Sequence, residues 1–383
     1  MNTEYKNRIK NVQNAIIQSQ ADACIITTAV NQFYLFGFIF DGYAYILPND
    51  EPILFVKRPE NIENAIYIRK PEQIPDFLCN NGLSLPKKVL IEADRITLNN
   101  ALRLQNALEN PQLLNVSGIM REIRSVKSEY ELSEMRKCAA IQTDVYRQIP
   151  SLYQKGMTDV LFQTEVERVM RQHGSIGIFR AFGDNMDIFM GSVLAGDNAQ
   201  AASAYDFAMG GKGVSPYLPI GASDVKLEDG MTIMFDMAGN FLPYMSDMTR
   251  TFAIGKVDKK AYDAHQVSIE MNEWVSENVK PGTHCADIYY YSLETAKKYN
   301  LENYFMGTTQ QAKFVGHGLG LEINEPPVFT PRSKEILRPN IAFAYEPKFV
   351  LPGIGAVGIE NTFIINENGV EKITLCEEEM IVL

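Results

Sequence analysis

Five side chains in the C-terminal third of the chain have types and spacing that could hold metal ions. They are Asp236 in MFDMAG, Asp247 in YMSDMTRTF, His317 in FVGHGLGLEINEPP, Glu346 in AYEPKF and Glu360 in VGIENT. Four carboxylates and one imidazole suit a pair of divalent cations. Carboxylates can bridge two ions and offset their charge, and a single His leaves the site mostly oxygen-lined and hard. Four of the five lie in segments that read as strands, where a carboxylate is costly unless something pairs it.

The elements that must position these groups are two hairpins. Ten residues separate Asp236 from Asp247, with Gly239-Asn240 and Pro243 between them. A turn near 240–243 would set the two Asp opposite each other on one face. Glu346 and Glu360 repeat the device around Leu351-Pro352-Gly353-Ile354-Gly355. In that register Glu346 faces Glu360 and Lys348 faces Gly358. Taken singly, any of these carboxylates reads as a solvated or strand-end charge. Two hairpins that each pair carboxylates on a Met-, Phe- and Ile-rich background read as a cage, with His317 capping one ion.

At 383 residues the chain exceeds the usual size of one core, so two domains are expected. Hydrophobic residues at 46% and charged residues at 22% fit a soluble globular protein. A net charge of -11 argues against nucleic acid or an anionic membrane as partner. Five Cys (24, 79, 138, 285 and 376) without C-x-x-C spacing read as reduced, mostly buried thiols of a cytoplasmic protein. The opening MNTEYKNRIKNVQNAI reads as a charged amphipathic helix and not as a signal peptide. The apolar stretch from Ala21 to Phe40 is interrupted by Asp22, Asn31 and Gln32, which favours strands and turns over a membrane span.

The first part alternates helix and strand patterns. A helix with Ile9, Val12, Ile16 and Ile17 on one face precedes the run ACIITT. YAYILP and PILFVKR flank Asn49-Asp50-Glu51-Pro52 as a hairpin, and KVLIEAD precedes a helix over 98–108. Beyond it, Ser128 and Glu131 form a capping box that opens a helix with Leu132, Met135, Ala139 and Tyr146 inward. Further helices are expected from Thr158 to Gly174, from Lys260 to Pro281-Gly282, and after a cap at Thr283. Helix pairs thus alternate with hairpins, hinting at two similar halves. Residues 186–222, rich in Gly, Ala and Ser, show no sustained period and read as a functional loop.

The motifs D-M-A-G…S-D-M-T-R-T-F, G-H-G-L-G-L-E-I-N-E-P-P and Y-E-P…G-I-E-N resemble the M24-type metallopeptidases of the pita-bread fold. That group includes prolidase, aminopeptidase P and methionine aminopeptidase, with creatinase as a relative. The resemblance spans nearly the whole chain. It implies an α/β (α+β) architecture, with a creatinase-like mixed α/β domain at 1–125 and a pita-bread catalytic domain at 126–383. The N-terminal domain points to the prolidase and Xaa-Pro aminopeptidase branch. By this resemblance Asp236 binds one ion, His317 and Glu346 the other, and Asp247 and Glu360 bridge them. Two ions roughly 3.5–4 Å apart would then activate a bridging hydroxide against an Xaa-Pro bond, with Glu346 taking the water proton. One nitrogen and no sulfur among the ligands favour Mn, with Co, Fe or Zn as alternatives. A cytoplasmic homodimer acting on small peptides with Pro after the N-terminal residue is implied.

Three departures from that family pattern stand out. The family carries a His seven residues beyond the ligand His, where this chain has Asn324, which cannot carry a proton at neutral pH. A second family His falls about 17 residues before the first Asp, where Pro219 stands. The family's E-P-G and R-I-E read Glu346-Pro347-Lys348 and Gly358-Ile359-Glu360 here. The cation has therefore crossed one rung of the hairpin, and Lys348 is a candidate catalytic residue beside Glu346 and Asn324, set near the bridging carboxylates or a substrate carboxylate. His173, His265 and His284 read as structural; Tyr205, Lys212 and Tyr217 on the long loop read first as surface residues of a lid, with substrate contact as the alternative. The altered auxiliary residues keep open two further readings: a metal-dependent enzyme on a non-peptide small molecule, and a catalytically weak peptide-binding homologue.

Overall fold

The apolar run Ala23–Ile26, buried at every position, becomes a central strand of a six-stranded mixed sheet. It pairs antiparallel with Asp41–Ile46 and parallel with Lys88–Ile91. The expected hairpin forms between Asp41–Ile46 and Ile53–Arg58, with Tyr43 opposite Phe55. The amphipathic helix is Thr3–Gln18, and Ile9, Val12 and Ile16 are buried. Ile17, expected on the same face, is 52% exposed because one residue turns about 100° round the helix from Ile16. The helix Leu98–Ala107 is capped by Thr97, whose hydroxyl accepts from the Asn100 amide. Contacts within the computed structural model, which describes residues 3–183, 190–205 and 207–383, divide the chain into Met1–Arg124 and Ser125–Leu383.

The second unit opens with the capping box. The Ser128 hydroxyl accepts from the Glu131 amide at 3.3 Å, and the Glu131 carboxylate accepts from the Ser128 amide at 2.8 Å. The helix it starts, Glu129–Tyr146, buries Leu132, Met135, Ala139 and Tyr146. Thr158 caps Asp159–Gln172, and Gly174 in a left-handed conformation follows its end. The strands Thr232–Gly239 and Ser246–Ala253 then form the first hairpin, flanked by Gly191–Ala195 and Ile381–Val382. The same order recurs: a long helix Lys259–Asn278, a shorter one Cys285–Lys298, then a hairpin. His284, not the expected Thr283, is the N-cap of the shorter helix. The Thr283 hydroxyl is used earlier, accepting from the Lys280 amide to close the Pro281-Gly282 turn.

The second hairpin is bent across two sheets. Ala342–Tyr345 pairs with Asn361–Ile365 in a five-stranded sheet, whereas Lys348–Leu351 pairs with Gly355–Gly358 as a separate ribbon. Each half has its own core: Tyr146, Phe162, Phe235 and Phe252 belong to one, and Met271, Cys285, Phe343 and Phe363 to the other. Of the Gly/Ala-rich loop, 186–189 and Asp206 lie outside the described residues. The remainder is tied together by Asn198, whose amide donates to the Gly221 carbonyl and accepts from the Lys212 amide. Cys24, Cys138 and Cys285 are buried free thiols, while Cys79 is exposed. Among the described residues no helix is long and apolar enough to cross a membrane.

Candidate metal centre

In the first hairpin Asp236 faces Thr249, and Asp247 faces Ala238. The two Asp therefore share a face but stand one diagonal step apart, where sequence spacing alone expected them opposite. The turn accounts for it, since pairing continues to Gly239 and Ser246 and leaves residues 240–245 as the loop. In the second hairpin Tyr345 pairs with Asn361 and Lys348 with Gly358. One register thus runs through the bend and sets Glu346 across from Glu360 at the corner between the sheets. The corner matters, because a strand changing sheets turns its side chains towards the neighbouring hairpin. Thr249 and Glu360 form a backbone bridge there, and the Thr249 hydroxyl donates to Glu360 Oε2 at 2.7 Å.

His317, on the short strand Gly316–Gly318, lies beside Ala344 of the second hairpin. Its Nε2 is 3.5 Å from Glu346 Oε1 and 4.0 Å from Asp247 Oδ2. Its Nδ1 is 3.1 Å from the Gly318 carbonyl. With the proton on Nδ1 donated to that carbonyl, the Nε2 lone pair faces the carboxylates. Asp247, His317 and Glu360 present ligand atoms all within 4.8 Å of one another, as do Asp236, Glu346 and Glu360.

The second of these triads holds an ammonium. Lys348 Nζ donates to Glu346 Oε2 at 2.7 Å and Asp236 Oδ2 at 2.8 Å, and it is 3.4 Å from Glu360 Oε2. Burial works to lower the Lys348 pKa, but the three carboxylates outweigh it and hold the ammonium well above its ordinary range. The carboxylates remain in electrostatic surplus. Burial, then Glu360, Asp236 and Glu346, push Asp247 well above the usual carboxylate range, against Lys348. Burial likewise raises Glu346, and it pushes Glu360 up to about 8 with Lys348 opposing. One ammonium does not neutralise three buried acids and the half-buried Asp236, so a further cation is favoured among them.

Polar residues on otherwise apolar helix faces brace both hairpins. From Glu129–Tyr146, Gln142 donates to the Met237 carbonyl and accepts from the Ser246 hydroxyl. Tyr146 donates to the Met248 carbonyl and accepts from the Met237 amide. From Lys259–Asn278, Ser268 donates to the Pro347 carbonyl and accepts from the Ile359 amide. His265 Nδ1 accepts from the Gly358 amide while Nε2 donates to the Glu378 carbonyl, and burial pushes its pKa down to about 4. Arg250, also buried, sends its donors to the carbonyls of Thr249, Glu360, Cys376 and Glu377 and to the Asn361 side chain. From sequence Tyr146 was placed on its helix's inner stripe and His265 was read as structural, whereas Gln142, Ser268 and Arg250 were not singled out; for Gln142 and Ser268 the available signal was a polar residue on a helix's inner stripe.

The comparisons decide the family. A model described as metallopeptidase family M24 matches residues 133–367, and one described as the creatinase/prolidase N-terminal domain matches residues 8–126. The chain belongs to metallopeptidase family M24. Its fold is the pita-bread catalytic domain preceded by the creatinase-like domain. An uncharacterized peptidase of Staphylococcus epidermidis is 26% identical over 381 residues, covering 97% of this chain and 99% of its own. The solved Xaa-Pro dipeptidase from Bacillus anthracis superposes with a TM-score of 0.80 at 21% identity, covering 99% and 100%. The X-Pro aminopeptidase from Thermotoga maritima gives 0.79 at 20% identity, covering 98% and 99%.

In this metallopeptidase Asn324 clamps a backbone segment. Its amide donates to the Phe182 carbonyl at 2.6 Å and its oxygen accepts from the Phe182 amide at 2.7 Å. The Pro219 carbonyl accepts from the Ser203 hydroxyl. Tyr217 is 94% exposed and Lys212 is also exposed. Tyr205 stacks on Phe207 and lines a cavity of about 310 Å³ with Met209, Gln311 and Lys313. His173 caps the end of its helix with Nδ1 2.9 Å from the Val169 carbonyl. The separations around His317 fit ligands of one metal ion. Ligands roughly 2.0–2.2 Å from a common ion stand roughly 3–4.4 Å apart, which brackets the 3.5 and 4.0 Å separations around His317 Nε2.

Proposed function

We propose that this chain is a metal-dependent hydrolase of Xaa-Pro peptide bonds, acting as a dipeptidase or aminopeptidase. The observation that carries the reading is the convergence on His317 Nε2 of Glu346 Oε1 at 3.5 Å and Asp247 Oδ2 at 4.0 Å, with Glu360 grouped with Asp247 and His317 within 4.8 Å. A bound ion would supply a Lewis acid that polarises the scissile carbonyl and acidifies an attacking water. Glu346, with Oε1 towards His317 and its pKa raised by burial, is suited to accept that water's proton and return it to the leaving nitrogen. His317 and Asp247 would hold the ion, and Glu360, fixed by Thr249, would complete its surroundings. Lys348 supplies a permanent positive charge behind the carboxylates. Asn324 positions the backbone at Phe182, which replaces proton shuttling with a fixed clamp.

The Xaa-Pro preference is supported by the dipeptidase and aminopeptidase named above as structural neighbours, and manganese by the oxygen-rich donor set. The cytoplasmic homodimer rests on the family resemblance and on the free thiols. The test is reconstitution of metal-free protein with Mn, Co or Zn against panels of Xaa-Pro dipeptides, Xaa-Pro tripeptides and their Xaa-Ala counterparts. Metal-dependent cleavage restricted to the Pro peptides is expected. Metal binding with no peptide cleavage would sink the peptidase reading and favour a non-peptide substrate, the reading that Asn324 and Pro219 in place of imidazoles supports.

A further inference from the structure

We propose that the Lys348 ammonium permanently takes the place of one of the two ions expected from the family pattern, so that the centre binds a single divalent cation at Asp247, His317, Glu346 and Glu360. The inference rests on the metal-centre reading but not on the peptide substrate. Three carboxylates, Asp236, Glu346 and Glu360, form a triad able to hold an ion, and Lys348 Nζ already sits against all three. The two oxygens of Glu346 face different partners. Lys348 uses Oε2 of both Glu residues, while Glu346 Oε1 faces His317.

The ammonium is enclosed. The Lys348 side chain is 0% exposed. Its Cα is fixed opposite Gly358 in the ribbon, and its carbonyl accepts from the Met306 amide at 2.8 Å. A divalent ion in the Asp236, Glu346 and Glu360 triad would need the carboxylate oxygens, Asp236 Oδ2 and Glu346 Oε2, that Nζ already occupies at 2.8 and 2.7 Å.

The opposite strand cannot carry the cation instead. A Cβ on Gly358, whose φ is +138°, would lie 2.6 Å from the Pro347 carbonyl oxygen and 3.0 Å from the Lys348 Cα. The glycine keeps the ribbon tight against Lys348, and the lysine supplies the charge that this rung needs. Lys348 therefore acts as a built-in counter-ion and positioning residue, orienting Glu346 and Glu360 for the one ion they bind.

The experiment is titration of the chelator-stripped full chain with Mn²⁺, read by calorimetry, by elemental analysis after gel filtration and by electron paramagnetic resonance. The wild type should bind one ion per chain with an isolated Mn²⁺ spectrum. Lys348→Gly, which removes the ammonium and its stem, should bind two and show a spin-coupled pair. His317→Ala should weaken wild-type binding at least 100-fold. Two tight equivalents or a coupled spectrum in the wild type would overturn the inference, as would no binding at saturating Mn²⁺. Should Lys348→Gly fail to fold, the wild-type stoichiometry and spectrum decide alone. Failure to cleave Xaa-Pro bonds with one ion bound would refute the functional reading and leave this one standing.

Discussion

Replacing Lys348 by Met keeps a side chain of similar length and removes only the ammonium among Asp236, Glu346 and Glu360. All the contacts at stake are buried on the lysine side, so solvent does not screen them. Removing one partner of a buried ion pair costs about 3–5 kcal/mol, because the other charges are left uncompensated. For a unit the size of Ser125–Leu383 that corresponds to a fall in Tm of roughly 6–20 °C in chelator at pH 8. The pH dependence has a definite sign. Glu360 is raised from its ordinary value to about 8 in the folded chain. A carboxyl raised in this way contributes stability that is full below its unfolded pKa and is lost as pH rises through the folded value. Removing the ammonium raises it further, so the penalty should shrink towards pH 5 and grow towards pH 8. Saturating Mn²⁺ should recover part of the loss, since one ion at 100 times its Kd contributes about 2.7 kcal/mol. Thermal unfolding in chelator and in Mn²⁺ at pH 5 and pH 8 measures all of this. An unchanged Tm at pH 8 in chelator would refute the argument that Lys348 neutralises the cluster.

Other perturbations probe the supports of the site. His265, buried and pushed down to about 4, contributes stability present above its unfolded pKa and lost as pH falls towards 4; the loss between pH 7 and pH 4 should be about 3 kcal/mol. Denaturant midpoints of wild type and His265→Gln across that range should show the acid limb flattened in the variant. Thr249→Val deletes the 2.7 Å bond to Glu360 and should weaken Mn²⁺ binding about 10–100-fold with little change in Tm, as calorimetry can show. Gly358→Ala forces a Cβ against the Pro347 carbonyl and should destabilise the chain by about 1–3 kcal/mol in denaturant titration.

The sequence made the two hairpins legible because their turns and alternation are local. The Ser128–Glu131 box and the Thr158 cap could be read for the same reason. The register of the second hairpin followed from its short turn and placed Lys348 opposite Gly358. The diagonal offset of Asp236 and Asp247 did not follow, because the longer 240–245 loop leaves register to packing. Where the Lys348 ammonium goes was equally hidden, since it depends on the corner at which the strands change sheets. That corner brings Asp236, 112 residues away, onto Nζ. The helix-borne braces Gln142, Ser268 and His265 read from sequence as ordinary helix residues, and only the fold shows which backbone groups they satisfy.

The most direct test of the account is proline release from an Xaa-Pro dipeptide by chelator-stripped protein as Mn²⁺ is added stepwise. The predicted result is no release without metal and a rate that rises linearly to a plateau at one ion per chain, with His317→Ala silent throughout. No release at any occupancy would contradict the proposed function, and a rate that climbs only with the second equivalent would contradict the single-ion centre.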